Sequence, residues 1–258
     1  MLSSFRLSLL RAAIKPFRLY WFPRVRSTND HAALLRKRGE LFAPAIVLTG
    51  HQLAGRGRGS HTWWSGPGCL TATFVFPIDA TLSPHQLPLV AGLAVRNAAA
   101  ELAGVADIQL KWPNDLQHAG RKLAGLLCER VHKADLVGLG LNVNLNPHDA
   151  PAPLRERITS LARIAGHTLD MTDALACIAR HLHALLLRSD EHPFQQVLRD
   201  YDTHHALVGR RVTVVDGAAG LPISGKCEGL DSMGRLLLRD RRTLHRVIAG
   251  EARPTEIR

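Results

Sequence analysis

The order of apolar segments along the chain constrains the fold more than any other feature. Two patterns typical of buried strands, AIVLT at 45–49 and LTATFVF at 70–76, precede a long amphipathic pattern over about 84–104. Three more apolar runs follow, IQLKW at 108–112, KLAGLLCE at 122–129 and DLVGLGLNVN at 135–144. β-Branched and aromatic runs favour strands, whereas apolar residues spaced by 3.6 favour a helix. The mixture predicts a mixed α/β (α+β) domain.

The pattern changes at Leu207. VGRRVTVVD, PISGKCEGLD and GRLLLRD are short alternating segments separated by glycine and aspartate, and they have no helical period. Such segments predict a small all-β barrel or sandwich. The sequence therefore divides into a predicted larger domain over residues 1–206 and a small β domain over residues 207–258.

Two further helices carry boundary signals. FRLYWFPRVRSTND predicts a strand that leads into a helix with its N-cap within Ser27-Thr28-Asn29 and its end at Gly39. Serine, threonine and asparagine are preferred N-caps, and glycine ends helices. Farther along, Thr172 is predicted to cap a helix on which Leu175 and Ile178 share one face.

Charge and cysteine usage limit the function classes. The formal net charge of +11 in 258 residues calls for an anionic partner, which can be a nucleic acid, a nucleotide substrate or an acidic protein. The basic residues are spread along the chain, which weakens the nucleic-acid interpretation. No run of about 18 uninterrupted apolar residues is present, so no membrane span is expected.

The four cysteines are widely spaced and form no zinc pattern, which predicts reduced thiols in the cytoplasm. The histidines at 181 and 183 lie on a helical pattern and are interpreted as solvated or core residues rather than metal ligands. The first 29 residues are basic and free of acids. They are nevertheless expected to stay in the protein, because their pattern predicts a strand and a helix cap.

The segment GHQLAGRGRGSHTWWSGPGCL, at 50–70, joins two predicted strands. It lacks the Lys and Ser/Thr of a P-loop and the spacing of a dinucleotide fingerprint. Glycine permits close backbone approach, and arginine offers paired donors to phosphate or carboxylate. The alternative is a glycine-rich surface loop without a binding function. The adjacent Trp63 and Trp64 argue against it, because large apolar rings seldom lie exposed without a partner.

Two further motifs lie at strand ends. KWPNDL at 111–116 sets a cation, an indole, an amide and a carboxylate around a proline, although Pro113-Asn114-Asp115 alone is ordinary turn chemistry. RKLAGLLCE places Lys122 at a strand entry, where a lysine is usually just solvated. Gly125 leaves room for something flat or bulky beside the backbone.

The motifs STND, GHQLAGRGRG…W, KWPNDL, RKLAGLLCE and GLGLNVN occur in this order. Together they resemble the biotin–protein ligases, also called biotin–[acetyl-CoA-carboxylase] ligases. The C-terminal segment ending in AGEARP is similar to the SH3-like domain of that family. The resemblance extends from about Tyr20 to the C-terminus and implies the family's mixed-sheet catalytic domain followed by an SH3-like β-barrel.

The resemblance also implies a reaction. Family members form biotinyl-5′-AMP from biotin and ATP with Mg²⁺, then pass biotin to one lysine of a biotin carboxyl carrier protein or domain of acetyl-CoA carboxylase or a related carboxylase. Attack of a carboxylate on a phosphate brings two anions together, so cations must screen them. By position in the motifs, Lys122 and Arg58 are the expected catalytic cations.

The same resemblance assigns the ligand contacts. Ser27, Thr28 and Gln52 would bind the ureido ring of biotin, and Trp63 would form a wall of the cavity. The full expected biotin set is Ser27, Thr28, Gln52, Gly55, Arg56, Arg58, Trp63, Lys122 and Gly125. The expected nucleotide set is Arg56, Arg58, Trp63, Lys111, Asn114, Asp115 and Asn142, with Mg²⁺ near Asp115.

The loop departs from the family pattern at one place. GRGRRGR is usual before the tryptophan, whereas Gly59-Ser60-His61 stand here where Arg-Gly-Arg is expected. The loop, residues 54–64, is expected to order over biotin and adenylate and exclude water. With two cations fewer, it is expected to retain the adenylate less tightly.

Some family members carry an N-terminal winged helix-turn-helix. Only 26 residues precede Ser27 in the sequence, which predicts no such domain and no sequence-specific DNA binding. Family members occur as monomers and dimers, so a homodimer is compatible with the resemblance.

Two alternatives remain from the sequence. Lipoate–protein ligases and octanoyltransferases share the fold and the acyl transfer to lysine, and a nonenzymatic basic nucleic-acid-binding module would also explain the charge. KWPND together with the arginine-glycine loop favours biotin.

Overall fold

The structure of the chain is a computed structural model that describes residues 5–187, 193–215 and 221–255. These residues form a seven-stranded sheet, a five-stranded sheet and a two-stranded hairpin. The helices are α1 (Leu7–Ala13), α2 (Thr28–Lys37), α3 (Leu87–Ala103), α4 (Ala152–Arg155), α5 (Leu161–Ala165), α6 (Met171–Leu186) and α7 (Phe194–Thr203). The strands are β1 (Arg18–Phe22), β2 (Ala45–Thr49), β3 (Gly55–Arg56), β4 (Thr62–Trp63), β5 (Cys69–Pro77), β6 (Gln109–Lys111), β7 (Asp115–His118), β8 (Arg121–Val131), β9 (Ala134–Asn142), β10 (Arg211–Val215), β11 (Ile223–Leu230), β12 (Leu236–Asp240), β13 (Thr243–Val247) and β14 (Glu251–Pro254).

The larger sheet has seven strands in the order β1-β2-β5-β9-β8-β7-β6. β1 and β2 are parallel, whereas the other neighbouring pairs are antiparallel. The mixed sheet expected from the sequence is therefore confirmed.

The two faces of this sheet differ because side chains alternate along each strand. In β5, Leu70, Ala72 and Phe74 belong to the main core, whereas Thr71 and Thr73 point to the opposite face. Helices α1, α3 and α6 contribute their apolar residues to the main core. The threonine face carries α2 at one end, over a smaller core that includes Ala32, Leu35, Ala45, Val47, Val75 and Leu136.

The second sheet has five antiparallel strands in the order β13-β12-β11-β10-β14. It confirms a small β domain at the C-terminus. The segment after α7 also touches the larger sheet, because Leu110 of β6 donates its N–H to His204 and accepts from the Ala206 N–H, both at 2.8 Å. The boundary at residues 206 and 207 stays a prediction.

The α6 N-cap differs from the sequence expectation. Asp170, not Thr172, is the N-cap residue, and its carboxylate accepts from the N–H groups of Thr172 and Asp173 at 2.8 and 3.1 Å. The Thr172 hydroxyl instead accepts the Arg6 N–H at 3.0 Å. The prediction was wrong because an aspartate two residues earlier reaches the same donors.

Other elements were not predicted. The predicted strand at 108–112 is shorter, and after the turn at Pro113 a second strand, β7, begins at Asp115. Helices α1, α4, α5 and α7 were not predicted from the sequence. None of the helices in the described ranges is long and apolar enough to cross a bilayer.

All four cysteines are free thiols. Burial raises the pKa of Cys69, Cys177 and Cys227 to about 11, so these thiols are protonated at neutral pH. Cys177 belongs to a polar group shared by α3 and α6, in which its sulfur, His181 Nε2 and a Glu101 oxygen lie within 4.8 Å of one another. Arg180 donates to Glu101 at 2.6 Å in the same group.

The Arg180–Glu101 pair predicts a pH dependence of stability. Hydrogen bonds from Arg180 and His181 lower the pKa of Glu101 from 4.5 to about 2. A carboxylate with a lowered folded-state pKa stabilises the fold above its unfolded pKa, and this contribution is lost as the pH falls through the folded value. Because the Glu101 side chain is 53% exposed, we expect Glu101→Gln to lower the free energy of unfolding by less than about 1 kcal/mol near neutral pH. Urea unfolding of the variant and the wild type measures this difference in the free energy of unfolding. The difference from wild type should shrink between about pH 4.5 and 2; a pH-independent difference would contradict the assignment.

Candidate functional site

The threonine face of the large sheet is kept flat by two glycines of β9. A Cβ on Gly138 would come within 2.2 Å of Asn29 Oδ1, and a Cβ on Gly140 within 2.2 Å of the Trp63 indole. No side chain can therefore replace these hydrogens without displacing a neighbour. The two glycines create a shallow floor on which Asn29 and Trp63 lie.

The start of α2 borders this floor. Ser27 caps the helix, and its hydroxyl accepts from the Asp30 N–H at 3.4 Å. Thr28 donates its N–H and hydroxyl to Gln52 Oε1 at 2.9 and 3.3 Å. A Cβ on Gly55 would lie 2.6 Å from Gln52 Nε2. The structure thus brings together Ser27, Thr28, Gln52 and Gly55, which the sequence assigned to biotin.

The glycine-rich segment is a short hairpin. Gly55 pairs with Trp63 and Arg56 with Thr62 across β3 and β4. At the tip, the Gly57 N–H donates to the His61 carbonyl at 2.8 Å, and Gly59 adopts φ +57°, a left-handed conformation that favours glycine.

Trp63 forms a wall of the site. Its ring lies against Gly140, and within the described ranges its buried Nε1 has no hydrogen-bond partner. Lys122 Nζ lies 5.7 Å from the ring centroid, within reach of a cation–π attraction. A buried donor without an acceptor is costly. This one lies against the sheet, because a Cβ on Gly140 would be 2.6 Å from Nε1.

Lys122 and Asp115 form an ion pair, with Nζ and Oδ1 2.7 Å apart. Asp115 pairs with Gly125 across β7 and β8, and a Cβ on Gly125 would lie 3.2 Å from Lys122 Nζ. Asn114 donates its side-chain amide to the Leu126 carbonyl at 2.6 Å. Expected biotin and nucleotide residues therefore meet at one ammonium group.

Asn142 lies at the end of β9 and is 2% exposed. Its amide donates to the Thr159 carbonyl at 2.9 Å, and its oxygen lies 3.4 Å from the Cys69 thiol. The structure thus ties this expected adenine contact to the loop before α5.

The small β domain contributes an edge of the site. Arg58 donates to the Gly250 carbonyl at 3.1 Å, and His61 Nε2 lies 3.6 Å from a Glu251 oxygen. Hydrogen bonds from Arg253 lower the pKa of Glu251, and the charges of His61 and Lys111 act in the same direction. The expected cations Arg58 and Lys111 therefore lie near the turn between β13 and β14.

Arg56 is held differently from the phosphate contact expected of it. Its guanidinium binds Asp30 and, at 2.8 Å, Glu129. Burial opposes the charge of Arg56, but the hydrogen bonds with these carboxylates raise its pKa. In this arrangement two carboxylates neutralise the cation.

Several residues of the site were not assigned a role from the sequence, among them Asn29, Glu129, Gly138 and Gly140. These four lie inside quoted motifs. A signal was present for the glycines, because two glycines spaced by two in a buried strand leave one face without side chains. Asn29 and Glu129 carried no comparable signal.

Comparison with known proteins places these motifs in a family. The sequence model of the biotin/lipoate A/B protein ligase family matches residues 21–146. Biotin–[acetyl-CoA-carboxylase] ligase from Paracoccus denitrificans is 31% identical over 223 residues, which cover 83% of this chain and 92% of that protein. Bifunctional ligase/repressor BirA from Bacillus subtilis (strain 168) is 30% identical over 227 residues, covering 80% of this chain, and the chain spans 65% of that protein's length.

A solved structure agrees with this assignment. The biotin protein ligase from Aquifex aeolicus, in complex with biotin and ATP, has a TM-score of 0.81 and 27% identity, covering 92% of this chain and 99% of that one. The sequence motifs, the mixed sheet and the relatives agree, and the chain belongs to the biotin–protein ligase family.

Proposed function

We propose that this protein is an ATP-dependent biotin–protein ligase. In the first step a biotin carboxylate oxygen attacks the α-phosphorus of ATP, and the bond to pyrophosphate breaks. In the second step a carrier lysine amine attacks the biotinyl carbonyl carbon, loses a proton and releases AMP. The observation that carries the proposal is the Lys122–Asp115 ion pair, which lies beside the Trp63 ring at the flat floor of Gly140.

The first step needs positive charge where two anions meet. Lys122 supplies it, and Asp115 holds the ammonium in place at 2.7 Å until phosphate oxygens compete for it. Arg58 and Lys111 add charge from the side of the small β domain. Fixed cations in a partly dry cavity stabilise developing charge better than water does.

Ligand orientation follows from the donors at the floor. Ser27, Thr28 and Gln52 offer hydroxyl, N–H and amide groups to the ureido ring, and Gly55, Trp63 and Gly125 leave space for its flat body. Asn114 and Asn142 flank the nucleotide, but each already binds a backbone carbonyl. They therefore have only their remaining amide groups to offer.

Magnesium fits beside Asp115. Mg²⁺ prefers oxygen ligands and usually binds through one or two carboxylates together with substrate phosphates. Asp115 offers such a carboxylate next to Lys122. We propose that the ion binds there together with ATP and neutralises phosphate charge.

The proposed protein partner is a biotin carboxyl carrier domain. We assign the net charge of +11 to ATP and to an acidic carrier surface rather than to DNA. A salt-resistant, sequence-selective gel shift would contradict this part. We place the reaction in the cytoplasm, which the four free thiols support, and a homodimer is compatible with the proposal.

The central test is carrier labelling. The protein is incubated with biotin, ATP, Mg²⁺ and a carrier domain, and the product is detected with streptavidin. Lys122→Ala should lower the rate of adenylation by about 100-fold or more, because one positioned donor at a charged transition state has that effect. Lys37→Ala, at an exposed position at the far end of α2, is the matched control.

Three outcomes would contradict the proposal. They are labelling with lipoate but not biotin, equal activity of Lys122→Ala and wild type, and no adenylate in the wild type. The first would favour the lipoate ligase alternative.

Ligand binding should protect the hairpin. We expect trypsin to cut after Arg56 or Arg58 in the free protein and more slowly with biotin and ATP, because closure over the ligands would order residues 54–64. Gel electrophoresis of timed digests measures it. Equal cleavage with and without ligands would count against the lid.

Retention of the adenylate should depend on position 61. His61→Arg restores a permanent cation where the family pattern has one, and it is expected to slow adenylate release by about two- to five-fold, which is the size of one exposed charge interaction. His148→Arg, at an exposed position of the 3-10 helix Pro147–Asp149, adds the same charge elsewhere and serves as control. A trap experiment with labelled adenylate measures the rate, and an unchanged rate in His61→Arg would refute the expectation.

A further inference from the structure

A chain of polar contacts leads from the centre of the large sheet to the glycine-rich hairpin. It begins at Thr73 of β5, which is fully buried, and donates its hydroxyl to Asn29 Oδ1 at 2.6 Å. Asn29 is 3% exposed and lies in the space that Gly138 leaves. An asparagine at this depth needs partners for its whole amide, and it has them.

The amide of Asn29 is fixed in one orientation. Its Nδ2 donates to the Leu127 carbonyl at 3.0 Å and to Glu129 Oε2 at 2.8 Å. Both amide hydrogens are therefore used, and the oxygen faces the Thr73 hydroxyl. A flipped amide would place its oxygen against two acceptors, the Leu127 carbonyl and the Glu129 carboxylate. It would also remove the acceptor of the Thr73 hydroxyl.

Glu129 connects Asn29 to the hairpin through its two carboxylate oxygens. One carboxylate oxygen accepts from Asn29, and the other accepts from Arg56 at 2.8 Å. Glu129 points to the same face as Gly125 and Leu127, because residues alternate along β8. Its side chain is only 26% exposed, so the charge-assisted bond to Arg56 is partly shielded from water.

Arg56 lies at the base of the hairpin. Its backbone pairs with Thr62, next to the pair of Gly55 and Trp63. With Asp30 on one side and Glu129 on the other, its guanidinium joins α2, β8 and β3. An arginine held in this way fixes where the hairpin leaves the sheet.

We propose that Glu129, oriented by Asn29, is a positioning residue that holds Arg56 and thereby sets the hairpin, and with it Trp63, against the floor of the site. The inference rests on the proposed ligase function and adds to it. Arg56 acts as an anchor of the hairpin, and the screening of phosphate charge falls to Lys122, Arg58 and Lys111.

The test is a double-mutant cycle on the full chain, with the release rate of biotinyl adenylate as the readout. Glu129→Gln should speed release about ten-fold, because a hydrogen bond between charged groups is lost. Arg56→Gln should have an effect of similar size. Adding Glu129→Gln to Arg56→Gln should then change the release rate by less than about two-fold, because residues that act through one contact do not add.

The KM for biotin should rise in Glu129→Gln, whereas the rate of adenylate formation at saturating substrate stays within about three-fold, because Lys122 is untouched. Glu228→Gln is the matched control, since it breaks an arginine–glutamate pair with Arg239 in the small β domain. Thermal melting checks that each variant folds.

Gly138→Ala tests the Asn29 link without removing any polar group. The added methyl would displace Asn29, and it should speed release about as much as Glu129→Gln and add little to it. If Gly138→Ala does not fold, the double-mutant cycle of Glu129→Gln and Arg56→Gln still tests the positioning role of Glu129.

The outcomes separate two failures. If the wild type forms no adenylate, the proposed function fails. If the wild type forms it but the effects of Glu129→Gln and Arg56→Gln multiply, or if Glu129→Gln releases adenylate at the wild-type rate, the positioning role alone is overturned.

Discussion

The missing side chains of Gly138 and Gly140 are the constraint on which the site depends. β9 is the middle strand of the large sheet and pairs with β5 and β8 along its length. Any side chain at these two positions would fill the space that Asn29 and Trp63 occupy. Because the opposite face of the same strand is packed with Val137, Leu139 and Leu141 in the main core, the strand cannot shift to make room. The floor is therefore as rigid as the core beneath it.

This rigidity decides how charge is distributed above the floor. Carboxylates already bind two of the cations, Lys122 through Asp115 and Arg56 through Asp30 and Glu129. The two cations differ in the number of carboxylates that bind them. Lys122 has one carboxylate, so an incoming phosphate can compete for it, whereas Arg56 has two and an additional link to the sheet. Two cations beside the same floor can thus serve chemistry or architecture, depending on the carboxylates that hold them.

Local signals predicted the secondary structure where they were strong. The buried strands, α3 and an N-cap within Ser27-Thr28-Asn29 follow from periodicity and capping residues that can be recognised within a few positions, and the structure places that cap at Ser27. Asp170 displaced Thr172 as a cap because two suitable residues lay two positions apart, and only the backbone geometry chooses between them. The turn at Pro113 was recognised, but the return strand β7 was not, since its pairing partners lie on β6 and β8.

The candidate site was predicted to the level of motifs. The residues of those motifs do converge, although their individual roles stay predictions. What the sequence could not reveal was pairing between distant positions. Asn29 meets Glu129 across 100 residues, and Arg58 meets Gly250 across 192. Such contacts depend on how the sheets pack, and no local pattern encodes them.

The contact of Leu110 with residues 204–206 has a consequence for synthesis of the chain. The outer edge of β6 is completed by backbone bonds to His204 and Ala206. Because the ribosome makes the protein from its N-terminus, the backbone donor and acceptor of Leu110 at this edge stay unpaired until His204 and Ala206 have emerged. Exposed strand edges favour association with other chains. The strand that carries Lys111 is therefore open to mispairing until residue 206 has emerged, and the segment that leads into the small β domain then closes it.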